Sequence, residues 1–257
     1  MTLLAADIVA RFYTFLWPML RISALLMAAP LFSLDALTVR IRIMLALVIT
    51  FLIYPLYDWP RIDPLSAEGI FEIVNQLFIG GMMGLMLQFA VGAIVVAGQT
   101  IAGSMGLSMA SMIDPNVGNV PVISQFLVIM GTLIFLGFGG HVIMISMLVD
   151  SFTSVPIGKF ILGQVAFGKV VAWSSTMFLG GVLIALPVMV SLLFINIGLG
   201  IVTRAAPSLN IFSVGFPASI AAGFLVLILS LESIGGRISW LWMQAFSHAK
   251  DLVGLVN

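Results

Sequence analysis

The side chains able to do chemistry are sparse in this chain, and their spacing argues against catalysis. Ser104, Ser108 and Ser111 recur through "GSMGLSMAS" with no base beside them, whereas a serine nucleophile needs one within hydrogen-bond reach. The same stretch has glycines but lacks the lysine of a phosphate loop, and no strand leads into it. Paired carboxylates at catalytic spacing are missing from the apolar interior. There is no cysteine, which removes disulfides, thiolate metal sites and cysteine nucleophiles. The two histidines, His141 and His248, lie far apart in sequence, which argues against zinc. The expectation is a protein that is not an enzyme, with no cofactor and no metal.

Two stretches concentrate what polar chemistry remains. "AGQTIAGSMGLSMASMIDPNVGNVPVISQ", Ala97 to Gln125, carries one charge, Asp114, and no lysine or arginine. It is too polar for a lipid-facing helix and too apolar for a solvated loop. Irregular backbone at membrane depth is tolerated only against protein or a watery cavity. Met105, Met109 and Met112 recur at spacings of four and three, which on a helix puts them on one face. Such a stripe suits a deformable seal or a methionine-rich packing surface. The second stretch, "GLGIVTRAAPSLNIFSVGFP", holds Arg204, the lone charge between Lys169 and Glu232. Arg204 reads as the cation at a helix C-terminus, Pro207 as the residue that stops that helix, and Asn210 as the cap of the next.

The elements that position these stretches follow from composition. The chain is 61% hydrophobic and 8% charged, against about 25% charged in a soluble domain, and its mean hydropathy is +1.24. That places it among polytopic membrane proteins. A net charge of zero suggests no nucleic-acid partner. Six apolar segments can be drawn, at 8–31, 40–57, 69–98, 122–149, 172–203 and 212–234, compared with the roughly 20 residues a spanning helix needs. The N-terminus lacks a basic n-region, since Asp7 precedes Arg11, so the first helix is expected to serve for insertion. Asp63 and Pro64 read as the N-cap and first turn of the third segment, and Tyr54, Tyr57 and Trp59 as an interfacial belt. Residues 150–171 read as a surface loop, and the C-terminal run, with Trp240, Trp242 and Phe246 among Arg237, His248, Lys250 and Asp251, as an amphipathic interfacial tail. Alternating the segments puts Arg11, Arg61, Lys159, Lys169, Arg237 and Lys250 on one side and Arg40, Arg42 and Arg204 on the other, so both termini are expected in the cytoplasm.

Inside the segments, Gly80 and Gly84, Ala93 and Ala97, Ala218 and Ala222, and Ser219 and Gly223 are each four apart, the spacing that lets helix backbones approach closely. Polar interruptions are few: Arg21, Asn75, Gln76, Gln88, Gln99, Gln125, His141 and Asn196. Glu72, Asp150 and Glu232 sit near segment ends, whereas proton-coupled pumps carry acids deep in their helices. His141, in "GFGGHVIM", reads as a helix residue at a glycine-softened joint.

Several spaced motifs, in order along essentially the whole chain, resemble one family. "APLFSLDALTVRIRIMLAL", "AGQTIAGSMGLSMASMIDP", "SQFLVIMGTLIFLGFGGH" and "IGLGIVTRAAPSLNIFSVGFP" are similar to the FliR family of flagellar biosynthesis proteins, with the related subunit of virulence type III secretion systems as the nearest alternative. The resemblance implies an all-α polytopic membrane protein of about six long helices in hairpins, like a fusion of FliP-like and FliQ-like folds, with kinked helices and an irregular mid-chain loop. It implies a FliP-like part at 1–171 and a FliQ-like hairpin with an amphipathic tail at 172–257. It further implies a structural subunit of the flagellar export gate in the bacterial inner membrane, at the basal body. The expected partners are FliP-like and FliQ-like membrane subunits, an FlhB-like switch protein, membrane lipid and the unfolded flagellar proteins in transit.

In that family the region corresponding to 103–119 helps to plug the resting pore. Here Gly103, Met105, Gly106, Met109, Met112, Asp114, Pro115 and Gly118 would form the loop: glycines and proline to bend it, methionines to deform around a passing chain. Arg204, Pro207 and Asn210 would fix the docking of the FliQ-like end. A stand-alone secondary transporter, with a midplane site between broken helices, is the other reading. Pro187 and the Gly137–Gly140 joint speak for it; the lack of deep acids and of internal symmetry speaks against it.

Overall fold

The computed structural model describes residues 2–30, 38–107, 122–159, 164–205 and 215–254. These residues are helical, apart from short turns and the 57–66 connection. In chain order the helices are α1 (Thr2–Ala28), α2 (Val39–Ile53), followed by a 3₁₀ turn at Tyr54–Leu56, α3 (Ala67–Ser104), α4 (Val122–Gly137), α5 (Gly140–Ser154), α6 (Gln164–Ala205) and α7 (Phe216–Leu252). Among the described residues four helices, α2 with its 3₁₀ turn, α3, α6 and α7, are long and apolar enough to cross a membrane, or five spans if α4 and α5 count together as one broken span. The protein is an all-helical polytopic membrane protein.

The helix ends correct several sequence expectations. The fourth apolar segment is two helices, because Gly139 adopts φ +74°, a left-handed conformation that glycine accepts at no steric cost. His141 follows this joint, exposed, in the first turn of α5. At the start of α3 the cap is Ser66 and not Asp63: Ser66 Oγ accepts from Gly69 N–H at 3.0 Å. Asp63 instead accepts from Leu65 N–H at 3.0 Å, a local Asx turn that delays the helix by one bend. The expected loop at 150–171 shortens from both sides, since α5 runs to Ser154 and α6 begins at Gln164. The C-terminal run is not a separate interfacial tail but the last third of α7. Its Ile238, Leu241, Trp242, Ala245, Phe246 and Ala249 form a buried stripe at helical spacing.

The chain forms two compact units. The first comprises Met1–Phe89, Gly139–Ser174 and Gln244–Asn257. Its core is built on Trp17, Ile22, Leu25, Leu26, Met83 and Leu87, all at most 1% exposed. The Gly80/Gly84 pair lies directly on α1, and a β-carbon at Gly84 would meet Ala28 Cβ at 2.6 Å. Tyr54, Tyr57 and Trp59 gather with Phe15 and Phe152 in a continuous aromatic cluster. Tyr57 donates to the Val149 carbonyl at 3.1 Å. Burial first, and then the Asp150 carboxylate, push its phenol above the usual tyrosine range, so it stays a donor. Trp173 donates to the Met86 carbonyl at 2.9 Å and lies 4.3 Å from the His248 ring.

The second unit comprises Ala90–Phe138 and Ser175–Met243. Small residues again set its helix spacing. Ala93 and Ala97 are fully buried, and a β-carbon at Gly181 would meet Val96 Cγ1 at 2.7 Å. Trp242 donates to the Gly131 carbonyl at 3.1 Å and packs on Phe135 with centroids 4.6 Å apart.

Candidate functional site

The mid-chain stretch starts where α3 stops, and the way it stops is specific. Gly106 has φ +81°. Its N–H donates to the Gly103 carbonyl and Leu107 N–H donates to the Ala102 carbonyl, both at 3.0 Å. These two bonds are the paired closure of a glycine-terminated helix. Thr100 and Ser104 hydroxyls turn back on the carbonyls of Val96 and Thr100, at 2.7 and 2.8 Å. Ser104 is therefore spent on the helix.

Beyond the cap, α6 and α7 hold the root of this stretch. Met105 is fully buried against Gly223 of α7, where a β-carbon would lie 2.6 Å from Met105 Cγ. The Ser104 carbonyl accepts from Asn196 Nδ2 of α6 at 3.5 Å. The Asn196 side-chain oxygen accepts from Ser219 of α7 at 2.8 Å, and Ser219 is itself buried. Gly103 is exposed with nothing within 4 Å of its β-position. Because α3 ends at Ser104, Met105 does not share a continuation of that helix with Met109 and Met112. Met109, Met112, Asp114, Pro115 and Gly118 lie outside the described residues, as do Pro207 and Asn210.

Arg204 occupies the last turn of α6, where a cation complements the helix dipole. It is exposed and makes no ion pair among the described residues. The buried charge of the chain is elsewhere, and sequence reasoning passed over its partners. Arg21, fully buried in α1, donates from Nε to Gln76 Oε1 at 2.6 Å, from Nη1 to the Ser151 carbonyl at 2.8 Å and hydroxyl at 3.1 Å, and from Nη2 to the Val155 carbonyl at 2.9 Å. Its guanidinium carbon lies 4.4 Å from the Phe152 ring centroid.

Gln76 in turn donates to Glu72 Oε1. Gly158 N–H donates to the same oxygen at 3.0 Å, and Asn75 donates to Glu72 Oε2 at 3.3 Å and to the Lys159 carbonyl at 3.0 Å. A cation and a carboxylate are thus joined through an amide, and together they fasten α1, α3, the end of α5 and the 155–159 turn. The signal was present: Glu72, Asn75 and Gln76 sit at i, i+3 and i+4, one helix face. Glu72 was read as a segment-end acid because hydropathy places it at the edge of its run.

Comparison with known proteins bears directly on these features. Residues 12–245 match the family described as bacterial export proteins, family 1. The chain is 38% identical over 240 residues to the flagellar biosynthetic protein FliR of Pectobacterium carotovorum subsp. carotovorum, covering 93% of this chain and 92% of that one. It is 35% identical to FliR of Escherichia coli (strain K12) over the same shares, and 28% identical to FliR of Bacillus subtilis (strain 168) over 98% of each. The matched region takes in the Arg21–Glu72 cluster, the Gly106 helix end and Arg204 alike, and the chain belongs to the FliR family of flagellar export proteins.

Proposed function

We propose that this chain is a structural, pore-forming subunit of the flagellar type III export gate in the bacterial inner membrane. In this reading it assembles with FliP-like and FliQ-like membrane subunits, beside an FlhB-like switch protein, and conducts unfolded flagellar proteins. A FliP-like part spans 1–171 and a FliQ-like hairpin 172–257. The segment 103–119 closes the resting pore.

The observation that carries the proposal is the outer face of α6. Leu193, Phe194, Ile197 and Ile201 are 57%, 69%, 52% and 66% exposed, and among them Gly198 and Gly200 have nothing within 4 Å of their β-positions. Glycine on a lipid-facing surface contributes nothing, whereas at a helix contact it lets a second backbone approach. An apolar face studded with open glycines fits a neighbouring helix better than it fits lipid. The relatives carrying flagellar names favour the flagellar over the virulence system.

The test is purification from native membranes together with a deletion of 107–119. The intact chain is expected to co-purify with two further small membrane subunits. The deletion is expected to assemble but to leak small solutes at rest. A lone chain that transports solutes in liposomes would overturn the gate reading, and a tight membrane with the deletion would remove the plug.

A further inference from the structure

The gate reading makes no use of a cavity at the end of α2. A space of 580 Å³ is lined by Asp7, Arg11 and Thr14 of α1 and by Tyr54, Asp58 and Arg61 after α2, with the Trp59 ring beside them. Its aromatic wall is fixed. Tyr54 and Trp59 rings stack at 6.4 Å and 17°, the Tyr54 hydroxyl and Thr14 Oγ1 are hydrogen-bonded at 2.8 Å, and Trp59 Nε1 donates to the Tyr54 carbonyl at 2.8 Å.

Two guanidinium groups and two carboxylates converge here, yet among the described residues none of the four forms an ion pair. Immediately outside the cavity the surface turns apolar: Phe12, Phe51, Leu52 and Leu56 are all at least 63% exposed. The cavity sits where the apolar run Val39–Leu56 ends, the level at which a spanning helix meets headgroups.

We infer that this cavity binds the headgroup of a phospholipid bearing both a phosphate and a primary ammonium, with the acyl chains laid along the exposed face of α2. Arg11 and Arg61 supply fork-shaped donors for phosphate oxygens. Asp7 and Asp58 accept from the ammonium, which also lies over the Tyr54 or Trp59 face. A purely anionic lipid would satisfy the arginines and set its phosphate against two carboxylates. A choline headgroup would keep the aromatic contact but has no N–H to give to them. The argument rests on this face of the chain alone, so it stands or falls separately from the gate.

The test is native mass spectrometry of the full chain, with whatever subunits accompany it, in detergent doped with dioleoyl phosphatidylethanolamine, phosphatidylcholine or phosphatidylglycerol. Phosphatidylethanolamine is expected to be retained preferentially. Arg11→Gln with Arg61→Gln is expected to lower that retention about tenfold, the loss of one charge-assisted contact. Asp7→Asn with Asp58→Asn is expected to abolish the preference over phosphatidylcholine. The substituted residues are exposed, so unchanged melting temperatures are expected to show intact folding. A photoactivatable phosphatidylethanolamine should label the 54–61 peptide in wild type, whatever the fate of the variants. Equal retention of phosphatidylcholine, or preference for phosphatidylglycerol, would overturn the proposal. So would displacement by soluble glycerophosphoethanolamine as effective as by the lipid.

Discussion

Arg21 is fully buried in α1, and four of its five N–H donors have acceptors. A buried charge is tolerable only when it is paired and its hydrogen bonds are met, and here the counter-charge is Glu72, reached through the Gln76 amide. Removing one side of such an arrangement leaves the other charge uncompensated. Arg21→Met is therefore expected to lower stability by about 3–5 kcal/mol, while Arg21→Met with Glu72→Leu recovers much of that loss. Thermal unfolding of the detergent-solubilised single and double variants measures both; additive losses would show that the two charges are independent. Sequence alone marked Arg21 as a charge inside an apolar run that needed a partner. It had no means of naming Ser151, which lies 130 residues away, because that acceptor is chosen by how α5 returns to α1.

At the scale of elements, periodicity and punctuation were legible where the cause is local. The Gly137–Gly140 joint breaks the helix as expected, since the need for a left-handed residue is written in the glycine itself. The start of α3 was misread by three residues, because Asp63, Pro64 and Ser66 all favour a helix entry and only the backbone path decides which one caps. The Gly80/Gly84 and Ser219/Gly223 spacings do mark close crossings, though the identity of the facing residue, Ala28 in one case and Met105 in the other, is a tertiary matter.

The second crossing yields a prediction about the loop root. A methyl group at Gly223 collides with Met105 Cγ, not merely with its mobile end, so Gly223→Ala is expected to cost about 1–3 kcal/mol through overpacking. Met105→Ala in the same chain makes room and should restore part of the stability. Limited proteolysis between residues 103 and 122, alongside the melting temperature, reads this directly. Faster cleavage is expected in Gly223→Ala and slower cleavage in the double variant; no change in either would show that Met105 does not anchor the stretch.

For the whole molecule, the exposed surface says more than the core. α2 exposes Met44, Val48, Phe51 and Leu52, and α6 exposes Phe178, Leu179, Phe194 and Ile201, so a large share of the apolar surface remains uncovered by this chain. Hydropathy foresaw spanning helices but had no way of separating lipid-facing from subunit-facing positions, since both are apolar; the open glycines on α6 are what distinguish them. Arg204 stands at the end of that face, exposed and without an ion pair among the described residues.

If α6 is the face on which a sister subunit docks, Arg204 meets a carboxylate or carbonyl of that neighbour, and its charge matters more than its stem. Arg204→Lys is then expected to keep most of the co-purifying partners, Arg204→Ala to lose them about tenfold, and Arg204→Glu to lose them entirely, with the melting temperature of the isolated chain unchanged in all three because an exposed helix-end cation contributes less than about 1 kcal/mol there. Partner yields that stay constant across the three variants would return Arg204 to being an ordinary helix end and leave the apolar face of α6 as the sole determinant of docking.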